Sequence, residues 1–359
     1  MKRRTLLRLL GAAASAPLAE ACFGSPTPSA APSSASASAG TGVGPGAASV
    51  SGALALYSAV GDEATDALIA AFRKAYAGVR IDVLSVAAAS ELQTRIRVEK
   101  AARKADLFVG GDSSLHDVLA REGLLEKYSS RSAAAPAPEA VDPSGSWTGW
   151  YLTLLAGAVN APRLGAAYAR PSWDDLTGPA WQRKLALPDP SKTSAGYALL
   201  AVQDFRGGRD DARTMDYMKR IDPNVTEYTG SELRTLDLVA GGEALYGIAW
   251  SHDILQRKAT DAALDIVVPE DTTVGVGALS IVSGTASPRA ARAFVDWSLG
   301  KDAAELMVRT AHVFPVRRDV AAPPGAPALD RAKLVAYDRA WAESEHDRLV
   351  RAWVAALHR

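Results

Sequence analysis

"ALALYSAVGDEATDALIAAFRKAYAGVRIDVLSV" (residues 53–86) holds a strand, a helix and a second strand in direct succession. Residues 53–60 are an apolar run of the length of a buried strand. Residues 62–78 carry apolar side chains at helical spacing, with Asp62 expected as N-cap and Gly78 as the end. Residues 79–86 read as the next strand. Two strands joined by a helix in this order lie parallel in one sheet, because the crossover of a right-handed βαβ unit returns the chain in the same direction.

The pattern repeats outward from there. "SELQTRIRVEKAARKA" (90–105) is expected as a helix capped by Ser90, "DLFVGG" (106–111) as a third strand and "SSLHDVLAREG" (113–123) as a third helix. A covered parallel sheet places its ligand at the carboxyl ends of its strands. The loops there are 57–62, 86–92 and 110–114, rich in small and hydroxyl residues where helices begin. Such starts offer free N–H groups and the positive dipole end to an anion, although Ser and Asp occur there for capping alone.

Further along, 149–164 reads as a long apolar strand, "KLALPDP" (184–190) as a short one, and "SKTSAGY" (191–197) as the opening of a helix. Residues 231–242 are helical, 244–250 a strand, 264–284 two strands joined by a turn, and 287–311 a helix broken near Gly300. Within this, "GIAWSHDI" (247–254) ends an apolar strand in Trp250, Ser251, His252 and Asp253. An Asp accepts and a His donates, so together they can fork onto neighbouring hydroxyls. Asp253 as N-cap of a following helix is the other reading. Trp250 has two as well, stacking on a sugar or closing the core.

Charge and cysteine content narrow the function. The 359 residues carry 40 basic and 40 acidic side chains, a balance that favours neither nucleic acid nor an anionic membrane as partner. The N-terminus, "MKRRTLLRLLGAAASAPLAEAC", has a basic start, an apolar run and small residues before Cys22, the pattern of a signal peptide over 1–22. "RRTLLR" also resembles a twin-arginine export signal. The stretch before Cys22 resembles a bacterial lipobox, with Ala19 where that pattern favours leucine, which makes Cys22 the expected lipid anchor. Residues 23–50, almost wholly Ser, Ala, Pro, Gly and Thr, are expected to be a disordered tether. Cys22 is the only cysteine, which excludes an internal disulfide and any cage of cysteine ligands.

Enzyme chemistry finds little support. The chain lacks a Gly-x-Ser-x-Gly elbow, a His-x-x-x-His pair and a phosphate-binding Gly-rich loop ending in Lys. An α/β hydrolase that uses His252 is the remaining catalytic alternative; no cofactor, metal or catalytic residue is expected.

The ordered segments "LALYSAV", "DALIAAFRKAYAGVRIDVLSVAAASELQTRI", "ADLFVGGDSSLHDVLAREGLLEKY", "PSWDDLTGPAWQRKLALPDPSKTSAGY", "GEALYGIAWSHDI" and "ARAFVDWSLGKDAAELM" resemble the family 1 extracellular solute-binding proteins of bacterial ABC importers. The branch in question includes ferric-ion, phosphonate and sugar-phosphate binders. The resemblance implies an α/β, two-lobed, type II periplasmic-binding-protein-like fold with a strand hinge, lobe 1 holding 51–153 and 276–359 and lobe 2 holding 154–275. It implies a non-enzymatic, monomeric binding protein, exported and tethered beside a membrane permease. Ferric members hold the metal with two adjacent tyrosines, and this chain has Trp250, Ser251 and His252 there, which disfavours iron. The sugar-phosphate members imply His252 and Asp253 for hydroxyls with Glu270 as third partner, Asp271 lying beside it. For the phosphate they imply Ser58, Ala59, Ala89, Ser90, Thr193, Ser194 and Ala195. A small oxyanionic solute, sugar phosphate first, is the expected ligand, with ferric iron, phosphonate and polyamine as alternatives.

Overall fold

The computed structural model describes residues 50–358 apart from 87, 131–139, 141 and 165–169. The expected signal peptide, Cys22 and nearly all of the tether lie outside the described residues. The first strand, β1 (Gly52–Ser58), leads into α1 (Asp62–Ala75) and β2 (Val79–Ser85), and β1 and β2 pair in parallel. Next come α2 (Ala89–Val98), β3 (Leu107–Asp112), parallel to β1, and α3 (Ser113–Arg121). Leu54, Leu56, Phe72, Ile81 and Leu107 close one core with Phe294 and Val295. Each fully buried side chain of this size contributes roughly 1.5–3 kcal/mol.

Strand β4 (Thr148–Asn160) is thirteen residues long and buried along nearly its whole length. A second α/β half follows: β5 (Leu185–Pro188), α4 (Ser194–Arg206), α5 (Asp211–Ile221), β6 (Val225–Thr229), α6 (Glu232–Gly241), β7 (Tyr246–Trp250), α7 (Ser251–Thr260) and β8 (Leu264–Val267). The chain then returns through β9 (Val274–Ile281), α8 (Pro288–Ser298), α9 (Lys301–Ala311), β10 (Phe314–Pro315) and the long α10 (Arg339–Leu357). The strand order is β2-β1-β3-β9-β4-β7-β5-β6.

β4 joins the halves. Residues 148–154 pair with β9, and 155–160 pair with β7 and β8. The crossing point is pinned from the side: Leu155 N–H donates to the Thr273 carbonyl (3.0 Å), and the buried Thr272 hydroxyl donates to the Leu155 carbonyl (2.6 Å). The segment around Leu334 makes an isolated bridge to Thr272, a third passage of the chain beside the crossing point.

Three local expectations differ from the structure. The cap of α1 is Gly61, at φ 83, and Asp62 instead accepts the Ser85 hydroxyl (2.6 Å). The cap of α2 is Ala88, so Ser90 lies inside the first turn. The C-terminal helix packs on α4 and α5, where Leu349 and Trp353 join Trp173, Leu199 and Met218 in the second half's core. The stretch 276–359 therefore does not lie wholly with β1–β3, because the apolar face of α10 is covered by the other half.

Candidate functional site

The carboxyl ends of the strands and the starts of α2, α4, α6 and α7 are linked through the hinge strands. Tyr151 and Trp250 make the link, and two glycines of β9 give them room. A Cβ on Gly277 would lie 2.0 Å from the Tyr151 ring, and one on Gly275 would lie 2.9 Å from the Trp250 indole. Glycine in a strand commonly marks such a close approach.

From Tyr151 the contacts run both ways. Towards the first half, the Gly111 backbone lies close enough to its hydroxyl to act on it. Gly111 in turn abuts Ala89, whose Cβ is 2.5 Å from where a Cβ on the glycine would stand. Towards the second half, its ring meets the His252 ring edge-on at 6.1 Å. Burial first, and then the carboxylates of Asp253 and Asp112, push the Tyr151 hydroxyl well above its usual range, so it remains a neutral donor.

His252 is oriented by its neighbours. Its Nδ1 lies 2.9 Å from the Thr153 hydroxyl and its Nε2 lies 3.5 Å from Asp253. Ser251, fully buried, accepts the Leu154 N–H (3.0 Å) and contacts Thr153 (3.0 Å), tying the start of α7 to the hinge. The cap of α7 is Trp250, so Asp253 sits within the first turn and does not cap the helix. The His252 and Asp253 side chains are 23% and 21% exposed, open enough to meet a ligand. The hydroxyl within reach of His252, that of Thr153, is on the buried hinge strand and is shared with Ser251.

The other expected residues fare unequally. Ser58 is fully buried and bonded to Thr65 (2.7 Å), and the Ala59 N–H is taken by the Val109 carbonyl (2.9 Å). Ala89 and Ser90 open α2, which has no side-chain cap. Thr193 caps α4 by accepting the Gly196 N–H (3.0 Å). Ser194 accepts the Trp250 indole N–H (2.8 Å), so Trp250 is both a buried wedge and a tie between α7 and α4. Ala195 gives its N–H to a residue the sequence reading had passed over, Glu232 (3.1 Å). Burial, and then Asp253, hold the Glu232 carboxyl above the usual carboxylate range, against the Ala195 N–H and His252. Glu270 is not the third partner: it is an exposed ion pair with Lys333 (2.6 Å), and Asp271, at φ 57, turns towards Arg206 (3.9 Å). Among the described residues no group of three or more His, Cys, Asp or Glu side chains could hold a metal ion.

A family model described as a bacterial extracellular solute-binding protein matches residues 102–343. The chain belongs to this family. As a solute-binding protein it is similar to a Sinorhizobium fredii protein described as a probable ABC transporter periplasmic-binding protein, 28% identical over 258 residues, 69% of this chain and 70% of the relative. Its fold matches the periplasmic binding protein AfuA from Actinobacillus pleuropneumoniae, solved with fructose-6-phosphate bound, at a TM-score of 0.76 and 28% identity over 86% of this chain and 99% of AfuA. Iron-bound HitA from Pseudomonas aeruginosa matches at a TM-score of 0.74 and 19% identity over 83% of this chain and 98% of HitA, a likeness of fold alone. This solute-binding protein is thus a member of the periplasmic class that serves ABC transporters, with the two-lobed α/β fold of that class. Its family consists of transport proteins that take a small molecule outside the cytoplasm. No helix among the described residues is long and apolar enough to cross a membrane.

Proposed function

We propose that the protein captures a phosphorylated sugar between its two lobes and delivers it to an ABC permease, without catalysing a reaction. The observation that carries the reading is the path of contacts across the hinge: the uncapped start of α2 at Ala89 and Ser90, then Gly111, Tyr151, and the His252–Asp253 pair. One end of that path suits an oxyanion, which needs N–H donors at a helix start and no cationic side chain. The other end pairs an acceptor with an imidazole, which suits ring hydroxyls. The resemblance to AfuA, whose structure holds fructose-6-phosphate, supports the same class.

Two expected phosphate positions drop out of this arrangement. The donors of Ser58–Ala59 serve the fold, and those at the start of α4 serve Thr193 and Glu232. The lobes hinge at 154–155, 272–273 and 334–335, and closure would desolvate the ligand from both sides. The signal-like 1–22, Cys22 as lipid anchor and the tether over 23–50 fit a monomer held near its permease.

A thermal-shift panel of hexose phosphates, hexoses, phosphonates, polyamines and ferric citrate tests the ligand class. A ligand that binds only the folded state at a hundred times its Kd adds about 2.7 kcal/mol of stability. Hexose phosphates are expected to raise the midpoint and the parent hexoses to leave it; a shift with ferric citrate alone, with a visible charge-transfer band, would remove the proposal. For the anchor, Cys22→Ser should move the protein from the detergent phase to the aqueous phase on phase separation. Equal partition of both forms would contradict lipidation.

A further inference from the structure

The first turn of α4 opens beside the His252–Asp253 pair and is closed by an acid of the chain itself. The Ala195 N–H donates to Glu232 Oε1 at 3.1 Å, and the Ser194 hydroxyl lies 3.5 Å from the same oxygen. The Gly196 N–H is held by Thr193. A helix start normally seats an anionic group from outside. Here the seat is already filled by a carboxyl group of the chain itself.

Glu232 is not needed to cap its own helix. Ser231 caps α6, accepting the Arg234 N–H at 3.2 Å. The nearby arginine and lysine are engaged elsewhere: Arg234 pairs with Glu227 at 2.9 Å and Lys192 with Asp189 at 3.1 Å, while the titratable side chains that act on Glu232 are Asp253 and His252. A mostly buried carboxyl beside a second carboxylate costs folding free energy. A serine or an asparagine could hold the Ala195 N–H without that cost, so the choice of a carboxyl at this place is the feature to explain.

We propose that Glu232 is a specificity-determining residue that restricts the solute to one anionic end, taking a hydroxyl or amine donor from the ligand's far end and rejecting a second phosphate. The proposal rests on the sugar-phosphate reading above, with the phosphate at the start of α2 and the ring hydroxyls on His252 and Asp253. A ligand so placed extends past Asp253 towards Glu232. A second phosphate arriving there must either lie against the carboxylate or displace it from Ala195. Like charges at contact distance in a poorly solvated site repel more strongly than one N–H bond attracts. A neutral or cationic far end leaves Glu232 in place and can donate to it.

Titration calorimetry at pH 7.5 with fructose 6-phosphate and fructose 1,6-bisphosphate, on the wild type, Glu232→Gln and Glu232→Ala, tests this. Glutamine keeps the shape and the acceptor for Ala195 and removes only the charge; alanine clears the seat. The wild type is expected to bind the monoester at least about a hundredfold more tightly than the bisphosphate. Both variants should shrink that ratio by about tenfold or more, through a gain in bisphosphate affinity. Thermal melts of the unliganded variants establish that each is folded, and Glu232→Gln decides the matter if Glu232→Ala is not. A ratio that stays at the wild-type value in the folded variants overturns the charge filter while leaving the sugar-phosphate reading intact. Failure of the wild type and both variants to bind the monoester overturns that reading and the filter with it.

Discussion

At the scale of single residues, the site is a short relay of polar groups, each held by a neighbour. His252 is fixed through Thr153, and Asp253 stands beside it in the first turn of α7. Truncating either should act on the ligand more than on the fold. His252→Ala and Asp253→Ala are each expected to weaken hexose phosphate binding by about 1–3 kcal/mol, the cost of a lost hydrogen bond to a polar or charged partner, with little change in the unliganded melting temperature. Calorimetry and thermal melts on the same samples separate the two effects; an equal loss of unliganded stability would make the pair structural. These two residues were recognisable in the sequence as candidates, because polar residues after the apolar run of "GIAWSHDI" stand out. Glu232 was not, since an acid in the first turn of a helix looks like a favourable dipole contact. Glu270 misled for the opposite reason: its partner is Lys333, 63 positions along the chain.

At the scale of elements, helix starts and hinge strands do the positioning. The βαβ succession, the break between α8 and α9 near Gly300 and the strand β7 were readable from periodicity. The caps Gly61 and Ala88 were not, because neither contributes a side-chain hydrogen bond to its helix. Gly277→Ala drives a methyl group into the Tyr151 ring, and overpacking of this kind costs about 1–3 kcal/mol. Urea unfolding should show that loss together with weakened ligand binding, since Tyr151 also faces His252; an unchanged midpoint would mean that the ring moves aside without cost. The contact between α3 and α10 adds a pH dependence. Arg339 stacks over Trp147 at 4.8 Å and donates to Ser113 (3.2 Å), Trp147 donates to Asp117 (2.6 Å), and Glu343 lies 3.3 Å from Arg121. Burial first, then the hydrogen bond and charge of Asp117 and the charge of Asp112, push the Glu343 carboxyl up to about 8, against Arg339. A folded-state pKa raised in this way gives stability that is full below the unfolded value near 4.5 and is lost as pH rises through about 8. Stability should therefore fall between pH 5 and pH 8.5, and Glu343→Gln should flatten that slope. The same slope in the variant would place the proton elsewhere.

At the scale of the whole molecule, two α/β halves share β4, and the chain crosses between them again at 272–273 and near 334. Pattern alone supports a fold class and two lobes. It could not assign α10, because amphipathicity says that a face is buried and not which half buries it. Trp353 is almost fully buried in the second half's core, so Trp353→Ala should cost about 3–5 kcal/mol in urea unfolding. A loss under about 1 kcal/mol would mean that α10 is peripheral. The central claim is that the solute lies across the hinge, its phosphate on α2 and its hydroxyls on α7. A crystal structure of the protein with fructose 6-phosphate tests it most directly. The account predicts phosphate oxygens within hydrogen-bonding distance of the Ala89 or Ser90 N–H and sugar hydroxyls on His252 and Asp253; a phosphate seated at the start of α4 in place of Glu232, or a sugar that touches neither His252 nor Asp253, would contradict it.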